Sequence, residues 1–413
     1  MSERIQVPKG TFDVLGSDAL ARDSLVATAK GILERAGYER IETPTFEATD
    51  LFARGVGRST DIVQKEMYSF EDGGGRSLTL RPEGTAPVCR AYMEHGMHKL
   101  PQPVKLWYLS SFFRRERPQQ GRFRQFWQLG AEAIGSEDPA VDAESIVLLS
   151  EILEAIGARE LRLRLSSLGT PATRAAYREE LIAHLRAHED ELSDEVRSRI
   201  ELNPLRAFDA DHPGTRRVME GAPRLLDHLT DDDHDHFETV RALLDGAGIA
   251  YEIDPTLVRG LDYYTRTVFE YTSDALGAQS GVGGGGRYDG LMEQIGAPPM
   301  PGMGWAAGVE RMLLSSPAVP VAAPPLELYV AYAGDAYRAA AFQLAADARR
   351  AGHAARLELG GRSLKGQLKQ ADRAGARYVA ILGDDGTSLK DMETGDQKTV
   401  EPGTVMHHIR GVL

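Results

Sequence analysis

The chain has 413 residues, of which 42% are hydrophobic and 26% charged, an ordinary globular composition with room for two or three domains. It holds no run of eighteen apolar residues, which excludes a spanning helix. Its net charge of -13 argues against a general nucleic-acid sponge but leaves room for a local basic surface that engages a phosphate backbone.

The start MSERIQVPKG has no apolar stretch that could serve as a secretory signal, so a cytoplasmic location without membrane attachment is expected. Cys89 is the single cysteine, which rules out an intramolecular disulfide or a multi-cysteine metal cage and reads as a small buried hydrophobe.

In chain order, residues 17–38 predict an amphipathic helix, with Leu20, Leu25, Val26, Ala29 and Ile32 at three-to-four spacing and Gly37 ending it. Short β-like runs follow at 41–46, interrupted by Pro44, at 78–80, closed by Arg81-Pro82, and at 104–109. More strands are expected at 160–165, 251–253 and 267–271. Strands and helices that mix without a βαβ repeat predict an α+β core with a mostly antiparallel sheet.

Residues 171–246 are polar and helical in pattern and read as a helical insertion in that core. They include the acidic run Asp231-Asp232-Asp233-His234-Asp235-His236. Consecutive side chains do not converge on one ion, so the run reads as a solvated helix start, and no metal site is predicted. Residues 315–325, rich in proline and small side chains, read as a linker. Beyond it, strands at 327–333, 355–359 and 377–382 alternate with helices at 335–350 and 363–374, which predicts a parallel sheet in a separate small α/β domain.

The densest chemistry lies between Phe113 and Glu132, where five arginines between 114 and 124 are interleaved with aromatic residues. A solvated basic loop or a nucleic-acid-binding face would have this composition. The β-like runs on both sides also suit a hairpin that aims arginines, a carboxylate and an aromatic ring into one cleft. Arginine suits nucleotide phosphates because its planar fork donates bidentately and keeps its charge.

The segment FRRERPQQGRFRQFWQLG resembles motif 2 of the class II aminoacyl-tRNA synthetases, in the version belonging to the histidyl-tRNA synthetases. The resemblance implies that Arg114 holds the α-phosphate and the substrate carboxylate, Glu116 meets the adenine amino group, Arg122 binds the terminal phosphates and Phe126 stacks on adenine. It also implies that Gln128 and Glu132 face bound histidine. Upstream, Leu80-Arg81-Pro82-Glu83-Gly84-Thr85 resembles the family's loop for the α-amino group, with Glu83, Gly84 and Thr85 in contact with the amino acid.

The run Leu257-Val258-Arg259-Gly260-Leu261-Asp262-Tyr263-Tyr264 is similar to a stretch peculiar to this family. It implies that Arg259, with Arg114, acts on the reacting α-phosphate and that Tyr263 and Tyr264 line the histidine pocket. A fixed guanidinium there would stabilise the charge that builds up on the phosphoryl group.

The glycine run 281–290 contains a literal G-x-G-x-x-G, but Arg287-Tyr288-Asp289-Gly290 opens a helix poorly, which disfavours a dinucleotide fold. The resemblance makes it a strand and turn beneath the pocket, with Tyr288 near the substrate. Residues 302–313 look like motif 3, with Arg311 on the γ-phosphate, and 37–46 resemble the motif 1 segment of a homodimer interface. The tail, notably RSLKGQLK at 362–369 and LKDMETG at 389–395, resembles the family's anticodon-binding domain, and basic residues on its first turns suit phosphate contacts.

The resemblance implies a catalytic core at 1–170 and 247–314, the insertion at 171–246, and an anticodon-binding domain at 326–413. It also implies ATP as a substrate accompanied by Mg2+, L-histidine as the amino acid and histidine tRNA as the partner. The nearest competing reading is the regulatory subunit of ATP phosphoribosyltransferase, a non-enzymatic relative of this core that lacks the tail.

Overall fold

The structure is a computed structural model that describes residues 4–57, 60–258, 260–277, 280–316 and 325–409. Arg259 and most of the 315–325 linker lie outside the described residues. The chain divides into two compact units, with the boundary between 319 and 320.

The first unit is built on an eight-stranded sheet, in the order Glu39–Arg40, Val104–Phe113, Gln125–Ile134, Gly302–Gly308, Gly281–Arg287, Thr265–Ser273, Leu161–Ser167 and Glu252–Ile253. Neighbours run antiparallel except at the two edges, where the short outer strands pair in parallel. The fold is therefore α+β, as the patterning predicts.

The side-chain period of two sorts the central strands between the two faces of the sheet. Trp107, Leu129, Ala131, Ala133, Met303, Trp305 and Ala307 point into one core with the helices Gly16–Arg35 and Pro139–Ala155. Leu106, Tyr108, Phe112 and Ile134 point into a second core with the helix Thr85–Glu94 and the insertion's Tyr177, Leu181 and Leu185. A small antiparallel sheet of Phe46–Ala48, Ser77–Leu80 and Tyr68–Glu71 flanks this unit.

Two sequence expectations change. The helix Asp231–Gly246 starts at the acidic run, as expected, capped by the Thr230 hydroxyl; Asp231, Asp232, His234 and Asp235 are solvated, but Asp233 is fully buried and His236 nearly so. Its Phe237, Val240 and Leu244 join the main core, so the helix packs with the core rather than with the insertion. Its polar N-terminal turn hid that apolar face.

The second unit is a five-stranded sheet with Leu328–Tyr332 parallel to Ala355–Leu357 and Tyr378–Gly383, as expected. Beyond Tyr378–Gly383 the chain turns back in antiparallel strands Gly386–Asp391 and Gln397–Val400, which the βαβ reading does not contain. Gly386, at φ +89°, allows the tight turn. Leu389 and Lys390 therefore lie on a strand, whereas Lys365 and Lys369 do lie on the helix Leu364–Arg373. Among the described residues, no helix is long and apolar enough to cross a membrane.

Candidate active site

A cleft of about 280 Å3 opens on the face of the sheet opposite the main core. Glu83, Gly84, Thr85, Arg114, Glu116, Arg122, Phe126, Gln128, Tyr263, Tyr264, Tyr288 and Arg311 all line it. These residues come from segments more than 200 positions apart, brought together by the order of the strands. Phe126 and Gln128 share the cleft because they lie two apart on one strand.

One end of the cleft is cationic. The Arg114 guanidinium lies 5.2 Å from the Phe126 ring centre, donates from Nε to the Pro82 carbonyl at 2.9 Å, and approaches Glu116 at 3.8 Å. Arg122 pairs with the other oxygen of Glu116. Arg311, on the helix Val309–Ser315, donates to the Gly121 carbonyl at 2.9 Å and the Gly281 carbonyl at 2.6 Å. Burial, then the like charge of Arg122, holds the Arg311 guanidinium below its ordinary value. Three guanidiniums thus converge on partly desolvated space, with Glu116 between two of them, an arrangement suited to a polyanion.

The other end is lined by aromatic rings and hydroxyls over two buried carboxyl groups. Glu83 is buried, and its carboxylate accepts from the backbone N–H groups of Thr85 at 2.8 Å and Ala86 at 3.0 Å, which ties it to the start of the helix Thr85–Glu94. Burial pushes its carboxyl up. The Thr85 hydroxyl donates to Glu132 at 2.8 Å, and the Tyr288 hydroxyl donates to the second Glu132 oxygen at 2.7 Å. Glu132 is 0% exposed and sits behind the cleft wall, reaching the cleft through these two hydroxyls. Burial raises its carboxyl to about 8. The Tyr263 ring packs at 4.7 Å from Tyr264 and edge-on at 5.9 Å from Tyr288, completing an aromatic wall.

Close approach explains two of the glycines. A Cβ on Gly304 would lie 1.7 Å from a Glu132 oxygen, and one on Gly130 would lie 2.2 Å from the Tyr108 ring. Only glycine leaves room for that carboxylate and that ring.

Tyr108, Glu270 and Glu310 also line the cleft and were not singled out in the sequence. Tyr108 reaches Glu132 at 3.5 Å, while Glu310 accepts from the Trp127 N–H at 3.1 Å and from Arg22 at 3.0 Å. Tyr108 and Glu270 each follow the alternation of their own strand, the one signal that would have pointed to them. Among the described residues, no group of three or more histidine, cysteine, aspartate or glutamate side chains could hold a metal ion.

A cationic end beside a small pocket of carboxyl, hydroxyl and aromatic groups is a geometry for joining a nucleotide to a small zwitterion. A family model described as histidyl-tRNA synthetase matches residues 10–312. The chain belongs to the histidyl-tRNA synthetase family. A second model, described as an anticodon binding domain, matches residues 327–411.

The chain is 46% identical to a histidine-tRNA ligase of Halothermothrix orenii, over 95% of this chain and 96% of that one. It is 47% identical to a histidine-tRNA ligase of Nocardia farcinica, over 98% and 96%. Its fold is similar to that of the apo histidyl-tRNA synthetase of S. aureus, with a TM-score of 0.82, 36% identity, and 98% and 100% of the two chains covered. Both motif-like arginine segments and the glycine strand fall within the span matched by the histidyl-tRNA synthetase model.

Proposed function

We propose that the chain activates L-histidine with ATP and transfers it to the 3′ end of histidine tRNA. The observation that carries this reading is the single cleft in which Arg114, Arg122 and Arg311 meet Glu83, Thr85, Tyr263, Tyr264 and Tyr288.

In the first step the histidine carboxylate attacks the α-phosphorus of ATP, the bond to the bridging oxygen breaks, and pyrophosphate leaves with that electron pair. In the second, the terminal ribose hydroxyl of the tRNA attacks the adenylate carbonyl and AMP leaves. Positioning and charge stabilisation supply most of the rate.

In this reading Arg114 and Arg259 hold the α-phosphoryl oxygens, and Arg122 and Arg311 take the terminal phosphates. Glu116 accepts from the adenine amino group while Phe126 stacks on the ring. The α-ammonium is held by Glu83 and Thr85, with Gly84 leaving space for it. Gln128, Tyr263, Tyr264 and Tyr288 surround the imidazole, and Glu132 acts on it through the hydroxyls it organises. ATP enters with Mg2+, a hard ion for which Glu270 on the cleft wall would be a suitable oxygen donor. When bound, the ion neutralises charge on the phosphates.

The second unit is the proposed anticodon-binding domain, spanning 326–413, and the insertion at 171–246 is the remaining element of the proposed domain plan. Its match to the anticodon-binding model and the set of cleft arginines both weigh against the regulatory-subunit reading. A homodimer is also proposed. Phe46 and Phe70 form an edge-on pair that is 49% and 44% exposed, an apolar patch suited to a second copy. Light scattering should return twice the 45.1 kDa chain mass, and a monomer mass would remove the dimer.

Charging of a histidine tRNA transcript with labelled histidine tests the proposal. The expected result is ATP-dependent label in the tRNA, and its absence from folded protein would refute the transfer step.

A further inference from the structure

The strand Thr265–Ser273 follows directly from the Tyr263-Tyr264 wall of the cleft, and its second residue is irregular. Pairing with the glycine strand jumps from Gly286 opposite Val268 to Arg287 opposite Thr265, and Arg266 in that bulge has φ +46°. A non-glycine residue in the left-handed region is strained and persists where its surroundings over-determine it, and bulges beside active sites re-aim a side chain.

Here the Arg266 backbone exchanges hydrogen bonds with the entrance to the insertion, donating to the Gly169 carbonyl at 2.8 Å and accepting from the Leu168 N–H at 2.7 Å. Its guanidinium turns to the helix Asp231–Gly246, donating to Asp233 at 3.2 Å and to His236 Nδ1 at 3.2 Å and pairing with Asp232.

Asp233 is fully buried and is the junction of this arrangement. Besides Arg266 it accepts from the Thr170 N–H at 3.1 Å and from the Thr173 hydroxyl, so one carboxylate joins the start of the insertion's first helix to its last helix, Asp231–Gly246. A guanidinium has no acceptor, so His236 receives its bond at Nδ1 and donates from Nε2 to Asp142 at 2.8 Å. Asp142 is itself paired with the buried Arg287, the neighbour of Tyr288. From the other side Arg174, on the insertion helix Pro171–Ala187, donates to the Tyr264 carbonyl at 2.6 Å.

We infer that Arg266 and Arg174 are positioning residues for the amino-acid substrate: together with Asp233 they clamp the root of the helical insertion onto the Tyr263-Tyr264 wall. A displacement of the insertion thereby reaches the amino-acid end of the cleft, while Arg114, Arg122 and Arg311 at the nucleotide end stand on other elements. This inference rests on the proposed function.

The test is steady-state ATP–pyrophosphate exchange by the full chain and its variants Arg266→Ala, Arg266→Gly and Arg174→Gln. The clamp predicts that KM for histidine rises about ten-fold while KM for ATP stays within roughly two-fold. Arg266→Gly relieves the backbone strain and removes the side chain, so it should behave as Arg266→Ala does. A wild-type histidine KM in Arg266→Gly and Arg174→Gln, or a parallel rise in both KM values, would overturn the clamp. Arg174→Gln leaves the buried Asp142–Arg287 pair untouched and keeps the test available if an Arg266 variant does not fold. Wild-type protein without histidine-dependent exchange would overturn the functional reading instead.

Discussion

Burial pushes the Glu132 carboxyl up to about 8, against hydrogen bonds from Tyr288, Thr85 and Tyr108 that pull it down. A folded-state value above the ordinary 4.5 means that the folded protein holds this proton more tightly than the unfolded chain does. The stability it contributes is fully present below about pH 4.5 and is lost as the pH rises through about 8. Glu132→Gln, which stays neutral, should flatten that part of the decline in Tm between about pH 5 and pH 8, as measured by thermal melts of ligand-free protein. Parallel curves for variant and wild type would contradict it.

Arg259→Ala is expected to slow adenylation about 100-fold or more, with a modest effect on histidine binding, because a charge that acts on the transition state contributes little to the ground state. Single-turnover adenylate formation measures this, and an unchanged rate would remove Arg259 from the chemistry. At this scale the sequence was informative where chemistry-bearing residues cluster, as from Arg114 to Glu132. It was silent on Tyr108, Glu270 and Glu310, which enter the cleft singly from separate elements and differ from structural residues only in where the sheet puts them.

Among the elements, the glycine strands carry the tightest geometry. Gly304 faces the Glu132 carboxylate so closely that a methyl group must displace it. Gly304→Ala is expected to destabilise the protein by about 1–3 kcal/mol, the usual range for overpacking, and to raise KM for histidine more than KM for ATP. Urea midpoints and exchange kinetics measure both effects, and a variant matching wild type would refute the close approach.

Strand and helix types were legible from period and punctuation, as in the helix Gly16–Arg35 and the hairpin Val104–Phe113 with Gln125–Ile134. Where local polarity and tertiary burial disagree, the reading failed. Asp233 and His236 look solvated in a run of acids, yet they are buried because Thr173, Arg266 and Asp142 satisfy them. The two antiparallel strands of the second unit were missed because their alternation is short and polar.

On the scale of the whole molecule, two units with separate hydrophobic cores divide the proposed work. A fragment ending at residue 319 should retain histidine-dependent exchange and lose tRNA charging. Charging at the wild-type level by that fragment would remove the second unit from tRNA recognition. The division was visible in the sequence because proline and small residues separate two patterned regions, whereas the union of distant segments in one cleft follows from strand order, which no local pattern encodes.

The central claim is tested most directly by ATP–pyrophosphate exchange on the purified full chain with each of the twenty amino acids in turn. The account predicts exchange with histidine alone. Exchange with a different amino acid, or with none from folded protein, would contradict it.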